Sequence, residues 1–463
     1  MPVVMNAAEA LTAQLNSLPD YLRPEPAVFD QLLASAGRLR PDGGLADAQA
    51  AAVIYKLQGA GAGFGDDLPP AKANFPADHR MHLKCGNEWY WLACHFDAED
   101  PAGQPVRIAV LLDMLRFRLI STKLQAEVGW SDADCQLVWN AVTVTIAGAG
   151  GSRIYRRPLN VQWAKTGGRV EFPDEKGFVY RCGPDVLTGA ANVLPLRAVV
   201  DDPTMVLDLR VDTDMPVESA FFLQGMDGIT PNPKPGVYYS WPQLKAHGKI
   251  IIESARYVVK SGNAWIDHQL LMNQTPTVRP PPKSIDGWNW CEFNLANGEA
   301  FTAAAFQTDA IQVNPLTPYG FYLRRSDDGK TWAAERLIGG LAMDRLIPTL
   351  HQVMQATSWT YTATNLPQSP PPLIPPRPFD LMVTTAPWID DASFETADLA
   401  VPSEAPVGVA MVNKAELLHL IPLGAAPAGE AVTGVGFCET VGWEPWASYQ
   451  ARALAFLKTG VEA

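Results

Sequence analysis

The chain of 463 residues is short of basic charge: 36 Lys and Arg stand against 49 Asp and Glu, a net charge of −13. No Lys/Arg cluster breaks that balance, which argues against nucleic acid or an anionic membrane surface as partner. Nowhere does an apolar run approach the ~18 residues that cross a bilayer, so no membrane span is expected. The opening MPVVMNAAEALTAQLNSLPD has neither a basic nor an apolar leader segment, so no signal peptide is expected. Six cysteines, Cys85, Cys94, Cys135, Cys182, Cys291 and Cys438, lack CxxC spacing. A reduced, cytoplasmic protein with core thiols is the expectation. No Ser lies in a GxSxG context, which speaks against a Ser hydrolase. GAGAGFG at Gly59–Gly65 and GAGGS at Gly148 lack the strand before and helix after of a dinucleotide site. No HExxH occurs, and the DHRMH of His79 and His82 lies in a Pro-bounded loop. With His95 and Glu88 it makes a set of metal-ligand residue types without metal-ligand spacing, and neither metal nor cofactor is expected.

What the chain does have is proline and tryptophan, 40 and 14 residues, the former punctuating many short strand-like segments. Residues 1–70 read as a helical N-terminal extension, from the spacing in AAEALTAQLNSL and FDQLLASAGRL. From about Phe75 the pattern turns to strands and turns. EWYWLACHF and VRIAVLLDMLRF read as a hairpin, as do GWNWCEFNL and FTAAAFQ. GKIIIESARYVVKSGNAWIDHQLLM reads as a hairpin turning at KSG. The Pro-rich stretches Thr275–Pro282 and Leu366–Pro378 read as loops, and YQARALAFLKTG as a closing helix. Trp89-Tyr90-Trp91 opens an aromatic strand, and Trp288-Asn289-Trp290 does the same in the second half, which suggests two similar units in tandem. The expected class is all-β, mainly antiparallel, with two tandem barrel-like domains over 71–245 and 246–463, each barrel able to hold a small ligand.

Strand alternation sorts the candidate residues. In GNAWIDHQLLM, Trp265, Asp267 and Gln269 share one face, and Ile266, His268 and Leu270 the other. A carboxyl beside Trp in a dry cavity has its pKa raised and can serve as an acid, whereas on a solvated face it is an ordinary aspartate. Glu88 shares a face with Tyr90, Leu92 and Cys94, either as a cavity group or at a solvated strand end. Tyr239 and Trp241 share a face, either as ligand contacts or as ordinary core aromatics.

FPADHRMH (Phe75–His82) followed by EWYW (Glu88–Trp91) resembles the opening signature of the lipocalin-like superfamily of carotenoid hydratase (hydroxyneurosporene synthase), kievitone hydratase and AttH-type proteins. YYSWPQL with GKIIIES, AWIDHQ, DGWNWCEFNLANGE and GVGFCETVG resemble that superfamily's later segments, in the same order, from Phe75 to Gly442. Arg80 replaces a frequent Gly, and Gln269-Leu270 replace a frequent Trp-Gly. The resemblance implies two lipocalin-like β-domains and a hydrophobic small-molecule substrate, terpenoid- or polyketide-like. It places Asp267 where the hydratases' proposed acid falls, and Tyr239 and Trp241 among cavity residues.

The candidate catalytic residues are thus Asp267, Tyr239, Glu88 and His268. The candidate substrate contacts are Trp241, Trp265, Trp89, Tyr90, Trp91, Trp288 and Trp290. Three functions fit. Asp267 protonates a carbon–carbon double bond and aromatic faces stabilise the cation, giving hydration, cyclisation or isomerisation. Alternatively, the cavity folds a polyene for a Diels–Alderase-type cyclisation without acid chemistry. The third is a binder of a hydrophobic ligand without turnover.

Overall fold

The computed structural model describes residues 73–118, 129–157, 160–166, 168–225, 236–271, 287–307, 319–348, 354–365, 379–387, 408–422 and 432–441, with Thr122, Gln125 and Ala126. The expected N-terminal helices, both Pro-rich loops and the closing helix lie outside these residues. Among the described residues no helix is long and apolar enough to cross a membrane. They form two compact units, residues 73–144 with 155–271, and residues 145–154 with 287–441.

Antiparallel strands make up both units, as expected. A 13-stranded sheet contains β1 (Asn87–Glu99), β2 (Pro105–Arg118), β3 (Gln136–Gly148), β4 (Gly151–Arg156), β5 (Asn160–Trp163), β6 (Val170–Glu171) and β7 (Phe178–Cys182). It continues with β8 (Asp185–Gly189), β9 (Leu196–Asp202), β10 (Met205–Asp212), β11 (Phe222–Gly225), β12 (Gly236–Ile252) and β13 (Ala255–Leu271). The order is β4-β3-β2-β1-β13-β12-β10-β9-β8-β7-β6, with β5 on β3 and β11 on β12. Among the described residues this sheet does not close into a ring by pairing. The second unit does: β14 (Gly287–Leu295), β15 (Ala300–Gln307), β16 (Tyr319–Arg325), β17 (Trp332–Pro348), β18 (Met354–Asn365), β19 (Phe379–Pro387), β20 (Gly408–Pro422) and β21 (Val432–Val441) form a closed barrel. The two aromatic hairpins open the two units, β1 with β2 and β14 with β15.

Two boundaries differ from the sequence reading. Residues 246–271 pair within the first sheet, so position 245 falls inside β12 and the units part after 271. The hairpin between β12 and β13 turns at Glu253-Ser254, not at KSG. Both turn residues have left-handed φ, 48° and 72°, the two-residue geometry that suits the twist of paired strands. The glycine of KSG instead serves a close approach inside β13. A Cβ on Gly262 would lie 2.4 Å from the Phe96 ring and 2.7 Å from the Ala246 carbonyl oxygen.

Burial shows where the core sits. In β9 and β10 buried and open positions alternate, the pattern of a sheet with one wet face. Ile108–Met114 of β2 and Gln136–Ile146 of β3 are buried without a break, so the centre of the sheet is covered on both faces. That double burial explains the long apolar runs LLDML and QLVWNAVTVTI, and it forces any polar group there to find a partner. One such group ties distant strands together. Asp185 of β8 accepts from Arg157 Nη1 at 2.5 Å, Asn140 Nδ2 of β3 at 2.8 Å and Asn160 Nδ2 of β5 at 2.9 Å. β8 and β3 are far apart in strand order, so this bridge fixes the curl of the sheet.

Removing one partner of a buried pair leaves the other charge uncompensated. Asp185→Ala is therefore expected to lower unfolding free energy by about 3–5 kcal/mol, measured by urea denaturation. A loss within experimental error would show that the bridge does not hold the curl.

Candidate active site

β13 lies between β1 and β12, and its register fixes which side chains meet. Tyr90, His268 and Tyr239 stand in one row across the three strands, and Trp91, Asp267 and Ser240 in the next. The rows point to opposite faces, so Asp267 and His268 are separated as alternation requires. Both faces are buried here, and each carries a polar cluster.

On the His268 face the centre is Glu88, which has no exposed surface. Its carboxylate accepts from His268 Nε2 at 2.9 Å, His82 Nδ1 at 3.1 Å, the His82 backbone N–H at 2.8 Å and Arg116 Nη2 at 3.3 Å. Burial alone would raise its pKa. Hydrogen bonds from His268 and His82, with the charge on His82, overturn this and hold Glu88 well below the usual carboxylate range. Burial likewise opposes charge on His82, but bonds to Glu88 and Asp78 raise its pKa. His268 goes the other way: desolvation lowers its pKa against the pull of Glu88. It is therefore neutral, and donation of Nε2–H to Glu88 leaves Nδ1 as an acceptor.

That acceptor faces the Tyr239 hydroxyl at 2.5 Å. The same hydroxyl lies 2.8 Å from His79 Nδ1 and 3.2 Å from the Asp78 carbonyl oxygen. Tyr239 has one proton, and its shortest contact is to His268. The arrangement then reads in one direction: His79 Nδ1–H donates to Tyr239, Tyr239 O–H donates to His268, and His268 Nε2–H donates to Glu88. Burial raises the phenol's pKa far above the ordinary value, with the neighbouring Tyr90 adding to it. His79 is pushed down to about 3 by burial and by His268, so its ring is neutral too. With Nδ1 engaged, Nε2 is the nitrogen left for a ligand.

His79 belongs to a short 3-10 turn, Ala77–His79, seated against β12. Around it stand Phe75, Phe221 and Trp241, with ring centroids 4.7, 5.8 and 5.4 Å away. Tyr90 stacks on His268 at 4.0 Å and anchors the turn by donating to the His79 carbonyl at 2.6 Å. His79 also lines a cavity of about 280 Å³, together with Pro76, Arg80, Pro173, Glu175 and Phe178. Arg80 and Glu175 form an ion pair at 2.8 Å beside it.

On the opposite face Asp267 is buried and accepts three bonds, from Tyr238 O–H and Trp265 Nε1 at 2.6 Å each and from the Ser240 hydroxyl. Burial raises its carboxyl to about 6, although all three donors pull the other way.

Four sequence candidates, Glu88, Tyr90, Tyr239 and His268, thus meet in one cluster, with Trp241 beside it. Asp267, Trp265 and Trp91 lie on the other face. Trp89 is partly exposed, and Trp290 is buried on β14 of the second unit. Trp288 lies on the same strand, its side chain outside the described residues. Sequence reasoning weighed His79 and His82 only as metal ligands, and missed Asp78, Arg116, Tyr238 and Ser240. The signal for His79, His82 and Asp78 was the DHRMH spacing just before Glu88. Arg116, Tyr238 and Ser240 reach the clusters through strand register, which no local pattern carries.

A family model described as AttH-like matches residues 67–339. No curated protein sequence matches the chain. The fold is similar to that of a candidate AttH protein from Nitrosomonas europaea, at a TM-score of 0.54 and 16% identity, over 81% of this chain and 99% of that one. Kievitone hydratase from Nectria haematococca gives a TM-score of 0.49 and 11% identity, over 83% and 97%.

The two buried carboxyls respond oppositely to pH. Asp267 holds its proton more tightly folded than unfolded, so its contribution to stability is complete below about pH 4 and is lost as pH rises through about 6. Glu88 contributes above its unfolded pKa and loses its contribution on acidification. The stability difference between the unaltered chain and Asp267→Asn should therefore shift by up to about 3 kcal/mol between pH 4 and pH 7, against the unaltered chain at the higher pH. Urea midpoints measured across that range check this; a difference that does not change with pH would contradict it.

Proposed function

The chain belongs to the AttH-like family, and from that premise we propose that its first unit adds water across a carbon–carbon double bond of a hydrophobic small molecule. The supporting observation is the buried Glu88–His268–Tyr239–His79 chain, whose last member lines a cavity. Hydration is favoured by the resemblance of the Phe75–His82, Glu88–Trp91 and Ala264–Gln269 segments to those of known hydratases.

In this reading His79 is the catalytic residue. Its neutral Nε2 takes a proton from a water molecule in the cavity. The charge this creates is dispersed by passing Nδ1–H to Tyr239 while Tyr239 passes its own proton to His268. Glu88 stabilises the resulting imidazolium, as an ionised carboxylate next to imidazole does. The water oxygen bonds to one carbon as the π bond of the double bond breaks and its electron pair moves to the neighbouring carbon. The proton returns along the same path to that carbon and forms the C–H bond with this pair, so one water is added and no charge remains. Tyr239, His268 and Glu88 act through His79. The cavity's apolar lining, Pro76, Pro173 and Phe178, takes the substrate skeleton, while Phe75, Phe221 and Trp241 pack around the His79 ring and keep bulk water from it.

A second reading has one observation in its favour. Asp267, raised to about 6 beside Trp265, retains its proton in a fraction of molecules near neutral pH. It would then protonate the double bond directly, with Trp265 facing the cation. Against it stand the three donors already directed at its oxygens, which favour the ionised form.

The test is incubation with a panel of phenolic and isoprenoid alkenes, read by mass spectrometry. The expected product is heavier by one water. Tyr239→Phe removes the proton the path depends on and should lower kcat by roughly 10²–10⁴-fold. A product of unchanged mass would overturn hydration in favour of cyclisation or isomerisation. Full activity in Tyr239→Phe with loss in Asp267→Asn would select the second reading.

A further inference from the structure

The second unit contains a feature that the proposed reaction does not use. Cys291 of β14 and Cys438 of β21 are register partners in the seam where the barrel's first and last strands meet. They are far apart in the chain, and neither is in a disulfide. The pairing of β14 with β21 is regular from Trp288 to Leu295, without a bulge. At its end the Ala296 N–H donates to the Thr433 carbonyl at 2.8 Å. In an antiparallel ladder hydrogen-bonded pairs recur at every second residue, so Asn294, Glu292 and Trp290 stand in such pairs. Cys291 and Cys438 therefore form a non-hydrogen-bonded pair, the closer kind, with Cα atoms about 4.5 Å apart. A disulfide requires Cα separations of about 4.4–6.8 Å. Alternation puts both sulfurs on the same face.

The two thiols differ in access. Cys438 is buried, whereas Cys291 is partly exposed. On β15, Cys291 faces Ala303, whose small side chain leaves the sulfur room to turn toward its partner.

We propose that Cys291 and Cys438 form a dithiol site that reacts with low-molecular-weight disulfides and closes to a cross-strand disulfide. The Cys291 thiolate attacks one sulfur of the small disulfide and expels a thiolate, which takes up a proton. Cys438 then loses its proton, attacks the Cys291 sulfur of the mixed disulfide and expels the second small thiol. Two protein thiols are oxidised to one disulfide, and one small disulfide is reduced to two thiols. The new bond links the two strands that close the barrel, so it staples the closure itself.

Oxidised glutathione added to the folded full-length chain, followed by alkylation and peptide mapping without reduction, tests this. The expected result is a linked peptide pair containing Cys291 and Cys438, two hydrogens lighter than the separate peptides, and a higher urea midpoint reversed by dithiothreitol. Cys438→Ser should stop at a glutathione adduct on Cys291. A persistent adduct on Cys291 of the unaltered chain, no reaction at Cys291, or a link to another cysteine would each overturn the proposal, whether or not the variant folds.

Discussion

The first unit is organised around one costly act, burying the ionised carboxylate of Glu88. An isolated charge in a dry interior is strongly unfavourable unless it is paired and hydrogen-bonded. Glu88 meets that requirement with donors from three directions: His268 on the neighbouring strand, Arg116 on β2, and the side chain and backbone of His82 before β1. Those partners fix everything else. His82 holds the loop that carries the Ala77–His79 turn, His268 takes a single tautomer, and the Tyr239 proton is given one direction. Arg116 is itself fully buried and also donates to the Cys85 carbonyl and to Gln136. The carboxylate is thus both a structural hub and the source of the polarity that reaches the cavity.

The same strand serves two faces. On β13 the odd positions Trp265 and Asp267 enter one dry region, and the even position His268 enters another. A sheet buried on both sides makes this possible, and it makes the two polar clusters independent. Asp267 accepts from Ser240, Tyr238 and Trp265, on the face opposite the Glu88 chain. The raised carboxyl and the oriented imidazoles are therefore two separate electrostatic devices a residue apart in sequence. Only the second ends at a wall of the cavity that holds His79.

Much of this was legible in the chain. The period-two spacing of AWIDHQ separates Asp267 from His268 without any tertiary information. The paired aromatic hairpins mark where each unit begins, and the aromatic strands carry Glu88, Tyr90, Tyr239 and Trp241 on faces that alternation assigns correctly. The turn between β12 and β13 was misplaced because Glu253-Ser254 adopts left-handed geometry without a glycine, while Gly262 makes room for Phe96. The place of His79 in the cluster was hidden for a different reason. A histidine in a loop looks like a ligand or a solvated residue until β12 places Tyr239 against it, and that contact spans 160 residues of chain. The Cys291–Cys438 pairing was hidden in the same way: motif spacing detects cysteines close in sequence, and barrel closure brings together distant ones.

The central claim is the direction of the proton chain from His79 to Glu88. Nitrogen-15 NMR of the histidine rings reads it directly, with assignments from His79→Gln and His268→Gln. His268 should be neutral with its proton on Nε2, and His79 neutral with its proton on Nδ1, at pH 7–8. A charged His268, or the opposite tautomer on either ring, would contradict it.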